Sequence, residues 1–88
     1  MMLKVGKLYR HHMIKTHPGM TIRACYVKRV HNEWYGGIDT IGDITEYGHA
    51  MLLVEYQKRE PYNRSNYAIF LVGDRFVRMD PCLVEPIP

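Results

Sequence analysis

Apolar and polar residues alternate most clearly from Tyr67 to Met79, in Tyr-Ala-Ile-Phe-Leu-Val-Gly-Asp-Arg-Phe-Val-Arg-Met. Two apolar runs flank Gly73-Asp74, and a glycine at the first turn position suits a two-residue type II′ turn. That turn predicts a register: Val72 with Arg75, Leu71 with Phe76, Phe70 with Val77, Ile69 with Arg78, and Ala68 with Met79. Side chains alternate across a strand, so Ala68, Phe70, Val72, Val77 and Met79 share one face, the predicted core face. Ile69, Leu71, Phe76 and Arg78 share the other, a mixed face whose exposed apolar pair would be Leu71 and Phe76.

The rest of the chain carries weaker patterns of the same kind. Residues 3–10 alternate loosely and predict a first strand carrying Val5 and Leu8 or Tyr9. His11 to Met20, with three histidines and Pro18-Gly19, reads as a loop. Thr21 to Val30 is β-rich, with Ile22, Ala24, Tyr26 and Val30 on one side and Arg23, Cys25, Val27 and Arg29 on the other. His31-Asn32-Glu33 reads as a turn, and Trp34-Tyr35 as the start of a returning strand that Gly36-Gly37 interrupts.

Ile38 to Arg59 supports two readings. As strands, Ile41 to Tyr47 bends at Gly48-His49 into Ala50 to Gln57, with Leu52, Val54 and Tyr56 inward. As a helix around 44–58, Asp43 to Glu46 forms a capping box, and Ile44, Tyr47, Met51 and Val54 fall at helical spacing. Gly48 costs a helix about 1 kcal/mol, and Met51 to Val54 would spread apolar residues round its circumference, so strands are preferred. Glu60 to Asn66 is a polar loop, Asp80-Pro81-Cys82 a short turn, and Leu83-Val84-Glu85 a last strand. Pro86 and Pro88 cannot donate to a ladder and place that strand at an edge.

The segment Gly42-Asp43-Ile44-Thr45-Glu46, an apolar strand, the Gly73-Asp74 hairpin, and Asp80-Pro81-Cys82-Leu83-Val84-Glu85 together resemble the second half of an SH3-like small β-barrel. Val5-Gly6-Lys7-Leu8-Tyr9 resembles the first strand of bacterial and phage barrels of this shape. The resemblance implies an all-β barrel of five to six antiparallel strands, the alternative being an α+β fold with the 44–58 helix packed on a sheet. It also suggests a small phage-type protein that acts by binding a host component. The aromatic groove of polyproline-binding SH3 domains is not carried over. The chain has no Ala-Leu-Tyr-Asp-Tyr segment and no adjacent tryptophan pair, and Leu83 stands where a tyrosine follows the proline turn.

Composition narrows the function classes. Eighty-eight residues predict one domain, 1–88, with an ordinary hydrophobic fraction of 47% and no room for a second core. The charge of +3 is spread along the chain, which permits an acidic partner without marking one. Two cysteines are too few for a disulfide framework. No signal peptide or membrane-length run is evident, so a reducing, cytoplasmic setting without membrane association is expected.

The histidines lack metal-ligand spacing. Cys25 and Cys82 lack the setting of an activated nucleophile. The reading is therefore a non-catalytic binding module without cofactor or metal. Small barrels bind nucleic acid or nucleotides by stacking bases on aromatics while cations meet phosphates. Arg29, His31, Trp34 and Tyr35, with Tyr26, supply those groups around the first hairpin, and Arg59, Tyr62, Arg64 and Tyr67 supply them in the later loop. The rival is a protein-binding inhibitor or adaptor, a homodimer in one version, that uses Ile69, Leu71, Phe76 and Arg78 as an apolar interface.

Overall fold

The alternation around Gly73-Asp74 becomes a tight hairpin in the computed structural model, which describes residues 3–57 and 67–88. β5 (Tyr67–Val72) and β6 (Arg75–Met79) pair in the predicted register. Gly73 has φ 63°, the left-handed first position that a type II′ turn requires and that a Cβ resists.

Five further strands complete one antiparallel sheet: β1 (Leu8–His11), β2 (Thr21–Val30), β3 (Glu33–Asp43), β4 (Met51–Gln57) and β7 (Val84–Pro86). Their order across the sheet is β3-β2-β6-β5-β4-β1-β7, so the sheet is open, with β3 and β7 as its edges. The fold is all-β, with seven strands among the described residues rather than five or six. The expected proline turn is a short 3₁₀ helix, Pro81–Leu83, in which the Asp80 carboxylate accepts from the Cys82 N–H at 2.9 Å. The 44–58 helix reduces to one turn, α1 (Ile44–Tyr47), capped by Asp43 Oδ1 on the Thr45 N–H at 3.0 Å.

Two bulges account for where strict alternation misplaces residues. On β4 the register shifts between Leu53 and Glu55, so Val54 is an extra residue and inward parity changes there. Met51 and Leu53 are fully buried and Tyr56 packs on the core, while Leu52 and Val54, expected inward, are half-buried. On β3 the register shifts opposite Cys25 and Val27. The Gly36-Gly37 pair therefore does not interrupt the strand; it marks the bulge through which β3 continues to Asp43. The turn before it is a two-residue one, with His31 at φ 51° and Asn32 at φ 65°, the pair of left-handed residues of a type I′ turn.

The inner face holds one core. Phe70, Leu53 and Val77 lie in adjacent strands with Ala68, Met79 and Tyr9 around them, and Ile44, Tyr47 and Val84 join from α1 and β7. Ile22 and Ala24 of β2 belong to the same cluster as Tyr9 and Met51. The sheet therefore curls until strands that are not neighbours in the ladder share one interior. The first strand's inward residue is Tyr9, whose hydroxyl accepts from the Lys4 N–H at 2.8 Å, while Val5 and Leu8 are exposed.

The close approach of α1 to the 3₁₀ turn at His12–Lys15 leaves no room beside Gly48. A Cβ placed there would lie 2.5 Å from Ile14 side-chain carbons and 2.7 Å from its Cβ. Gly48→Ala is therefore expected to lose about 1–3 kcal/mol of stability through overpacking. Gly19→Ala, with nothing within 4 Å of the new methyl, should change it by about 0.5 kcal/mol or less. Urea unfolding of the two variants checks both.

Candidate functional site

The outer face of the sheet is built from two rows that cross it strand by strand. One row runs Leu8, Leu52, Leu71, Phe76, Val27, Gly36. The next runs Glu55, Ile69, Arg78, Cys25. The first is an apolar stripe, and the second sets an isoleucine between a carboxylate and a guanidinium.

The stripe is covered in part by the chain itself. Trp34, near the tip of the β2–β3 hairpin, packs edge-on against Phe76 with ring centroids 5.0 Å apart. Asn32, Glu33 and Trp34 from that tip line one cavity of about 260 Å³ together with Val27, Glu55, Tyr67 and Arg78. The hairpin tip thus lies over the outer face of β5 and β6. Ile69 is fully buried as a result, since the long stems of Glu55 and Arg78 flank it in the row. It is no part of an exposed interface, contrary to expectation. Leu71 and Phe76 are half-buried, and only Arg78 of the four is exposed.

One aromatic–cation pair, Arg78 with Tyr67, lines this cavity, and a second meets it through the Trp34 ring, with Arg29 itself outside the lining. The Arg29 guanidinium sits 5.5 Å from the Trp34 ring centroid, and that of Arg78 sits 6.0 Å from the Tyr67 centroid. Such contacts hold a cation beside a ring face. The Trp34 indole N–H is buried and meets no acceptor among the described residues. Tyr67 pairs with Gln57. Arg59, Tyr62 and Arg64 lie outside the described residues.

Not every expected residue joins the site. His31 is exposed on the turn. Tyr35 points to the opposite side of β3 from Trp34 by strand alternation; it is 48% exposed and its hydroxyl donates to Glu33 Oε2 at 3.2 Å. Tyr26 faces inward, under the Arg75 guanidinium 5.0 Å from its ring centroid. Together with Tyr47, Val72, Gly73, Asp74, Arg75 and Val77 it lines a second hollow of about 420 Å³. Glu33 and Glu55 were missed as lining residues. A signal for Glu33 exists: reading His31-Asn32 as a two-residue turn pairs Val30 with Glu33 and Arg29 with Trp34, the observed register.

Among the described residues, no three His, Cys, Asp or Glu side chains are placed to hold a metal. Both cysteines are free thiols, Cys25 half-buried and Cys82 exposed. His11 is buried rather than exposed in a loop; it ends β1, stacks on His12 at 5.5 Å, and its Nδ1 accepts from the Met13 N–H at 3.2 Å. Burial, and next the neighbouring His12, lower the His11 pKa below its ordinary 6.5. At the β1–β7 edge, Glu85 accepts from Arg10 Nε at 2.9 Å and meets Lys15 at 3.3 Å. The Arg10 hydrogen bond comes first among the causes that hold its carboxyl below the usual range. No helix among the described residues is long and apolar enough to cross a membrane. Compared with known protein families, with curated proteins and with solved structures, the chain finds no match.

Two outcomes follow from this geometry. Phe76→Asp sets a carboxylate under Trp34 and should cost about 2 kcal/mol or more, with the Trp34 emission moving to the red. Leu8→Asp, on an exposed position, should cost about 0.5 kcal/mol or less. Separately, the unfolded chain binds a proton at His11 that the folded chain refuses. That contribution to stability is complete above about pH 6.5 and is lost as the pH falls below it. His11→Asn keeps a capping acceptor that does not titrate, so urea midpoints measured from neutral to mildly acidic pH should fall less steeply than in the parent.

Proposed function

We propose that the protein is a non-catalytic binding module that takes a phosphate-bearing ligand, single-stranded nucleic acid or a nucleotide, in the cavity between the β2–β3 hairpin tip and β5–β6. The observation that carries this reading is one cavity lined by Trp34, Tyr67 and Arg78, with Arg78 over the Tyr67 ring and Arg29 over the Trp34 ring, from stretches far apart in sequence. Aromatic rings supply stacking surfaces of any base, and guanidinium groups meet phosphate. Glu55 would oppose a bare anion at the same place. Beside a base, however, a carboxylate accepts from exocyclic amino groups, which favours a nucleotide over inorganic phosphate. A ligand acceptor that reached the buried Trp34 N–H would relieve the cost of leaving that donor unpaired.

We further propose an SH3-like arrangement for the architecture, its sheet open between β3 and β7. In its favour, the elements named by the resemblance stand in the expected order: the β4 strand after Asp43, the tight β5–β6 hairpin, the proline 3₁₀ turn and the short β7. The protein-binding reading, as a phage-type inhibitor, adaptor or homodimer, draws on the same face. Two facts weigh against it: Ile69 is fully buried, and Trp34 already packs on Phe76. What remains for it is the stretch from Leu8 to Leu71.

Trp34 is the single tryptophan, so selectively excited tryptophan emission reports on this cavity. Titration with a mixed-sequence single-stranded oligonucleotide at low salt should give a saturable change in Trp34 emission, with affinity falling steeply as salt rises. Arg78→Gln should weaken binding about tenfold, as expected for loss of one charge-assisted contact. No saturable change at low salt would overturn the reading.

A further inference from the structure

The two edges of the sheet are unlike. β7 is three residues long, ends at Pro86, and its Glu85 is engaged by Arg10 and Lys15. β3 is eleven residues long, Glu-Trp-Tyr-Gly-Gly-Ile-Asp-Thr-Ile-Gly-Asp, with no proline and no lysine. Edge strands are ordinarily blunted by shortness, proline or lysine, and β7 shows the first two. β3 shows none of the three; its bulge beside Gly36-Gly37, a further blunting device, divides the edge into two regular stretches, Glu33–Gly36 and Asp39–Asp43. Its ladder to β2 runs from Glu33 to Asp43, and among the described residues no strand lies on its other side. About half the backbone N–H and C=O groups of an antiparallel strand point away from its one partner.

We propose that this edge docks an extended basic segment of a partner protein, which adds to the sheet beyond β3 by main-chain hydrogen bonding. The chemistry of the partner follows from charge. Glu33, Asp39 and Asp43 are the only charged residues of β3, and in an added strand the directly opposite residues sit about 5 Å away. The cations of β2 (Arg23, Lys28 and Arg29) stand in register opposite Ile41, Tyr35 and Trp34. They are one strand further from a newcomer, about 10 Å, so β3 itself decides the pairing. A second copy of the same strand would set acids near acids, which disfavours self-pairing. Ile41 is 71% exposed and Tyr35 48% exposed, and both offer apolar contact at intervals along the edge. A segment that alternates basic and apolar residues fits this strand.

This inference is independent of the cavity. The test mixes the full chain with a lysine–valine alternating peptide of strand length, the same peptide with alternate backbone nitrogens methylated, and a glutamate–valine counterpart. Amide hydrogen exchange is read along Glu33–Asp43. The lysine–valine peptide should slow exchange at alternate β3 residues and bind more weakly as salt rises. The methylated and acidic peptides should not bind. Glu33→Gln with Asp39→Asn should weaken binding several-fold while the unfolding midpoint holds. The proposal is overturned if the methylated peptide binds as well as its parent, since charge alone would then suffice. It is also overturned if exchange on β3 is unchanged, or if sedimentation shows that the chain occupies this edge with its own copy.

Discussion

The packing of Trp34 on Phe76 governs the outer half of this molecule. An indole ring at 5.0 Å from Phe76 anchors the β2–β3 hairpin tip over β5 and β6 instead of leaving it in solvent. Two features go with that anchor. Ile69 is fully buried on a face that the strand pattern marks as mixed, and the cavity lined by Val27, Glu55, Tyr67 and Arg78 is closed by Asn32, Glu33 and Trp34. Edge-to-face aromatic packing adds about 0.5–1.5 kcal/mol beyond the area it buries. It adds to the ladder that joins β2 to β6 as far as Val27, and matters most for the two-stranded tip beyond it, since isolated hairpins are marginal in water.

The inner face works differently. There the sheet curls until Ile22 and Ala24 meet the cluster that contains Tyr9 and Met51, and the two bulges make the curl possible. An extra residue bends a strand and raises its local twist. The bulge at Val54 lets β4 direct Met51, Leu53 and Tyr56 inward although they are not evenly spaced. The bulge in β3 lies beside Gly36-Gly37, where missing side chains make the bend inexpensive. Each face therefore owes its shape to a break in alternation.

Those breaks also mark the limit of what could be read from the residues. The β5–β6 hairpin was legible to the last pair, because Gly73 sets the turn and period-two alternation sets the faces. β2 was legible from Thr21 to Val30 for the same reason. The burial of Leu53 in place of Leu52 was not, because a one-residue slip moves a strand's whole apolar set and nothing in Met51-Leu-Leu-Val54 distinguishes one register from the next. At the candidate site, Arg29, Trp34, Tyr67 and Arg78 could be named as residue types suited to binding. Their convergence could not, since it depends on how far the hairpin folds back. His11 shows the converse: a histidine in a polar stretch reads as solvated, and only the fold reveals that it closes a strand and caps a turn.

The β2–β3 hairpin ends up separating charge across a single strand spacing. β2 carries Arg23, Lys28 and Arg29, while β3 carries Glu33, Asp39 and Asp43 and no cation. The Glu33 carboxylate accepts from the Tyr35 hydroxyl, on the side of β3 away from Trp34. It therefore stands apart from the guanidinium groups of Arg29 and Arg78, which meet the Trp34 and Tyr67 rings on the outer face. One hairpin presents opposite charges on separate surfaces without any change in fold, because alternation sends neighbouring side chains to opposite sides of the same strand.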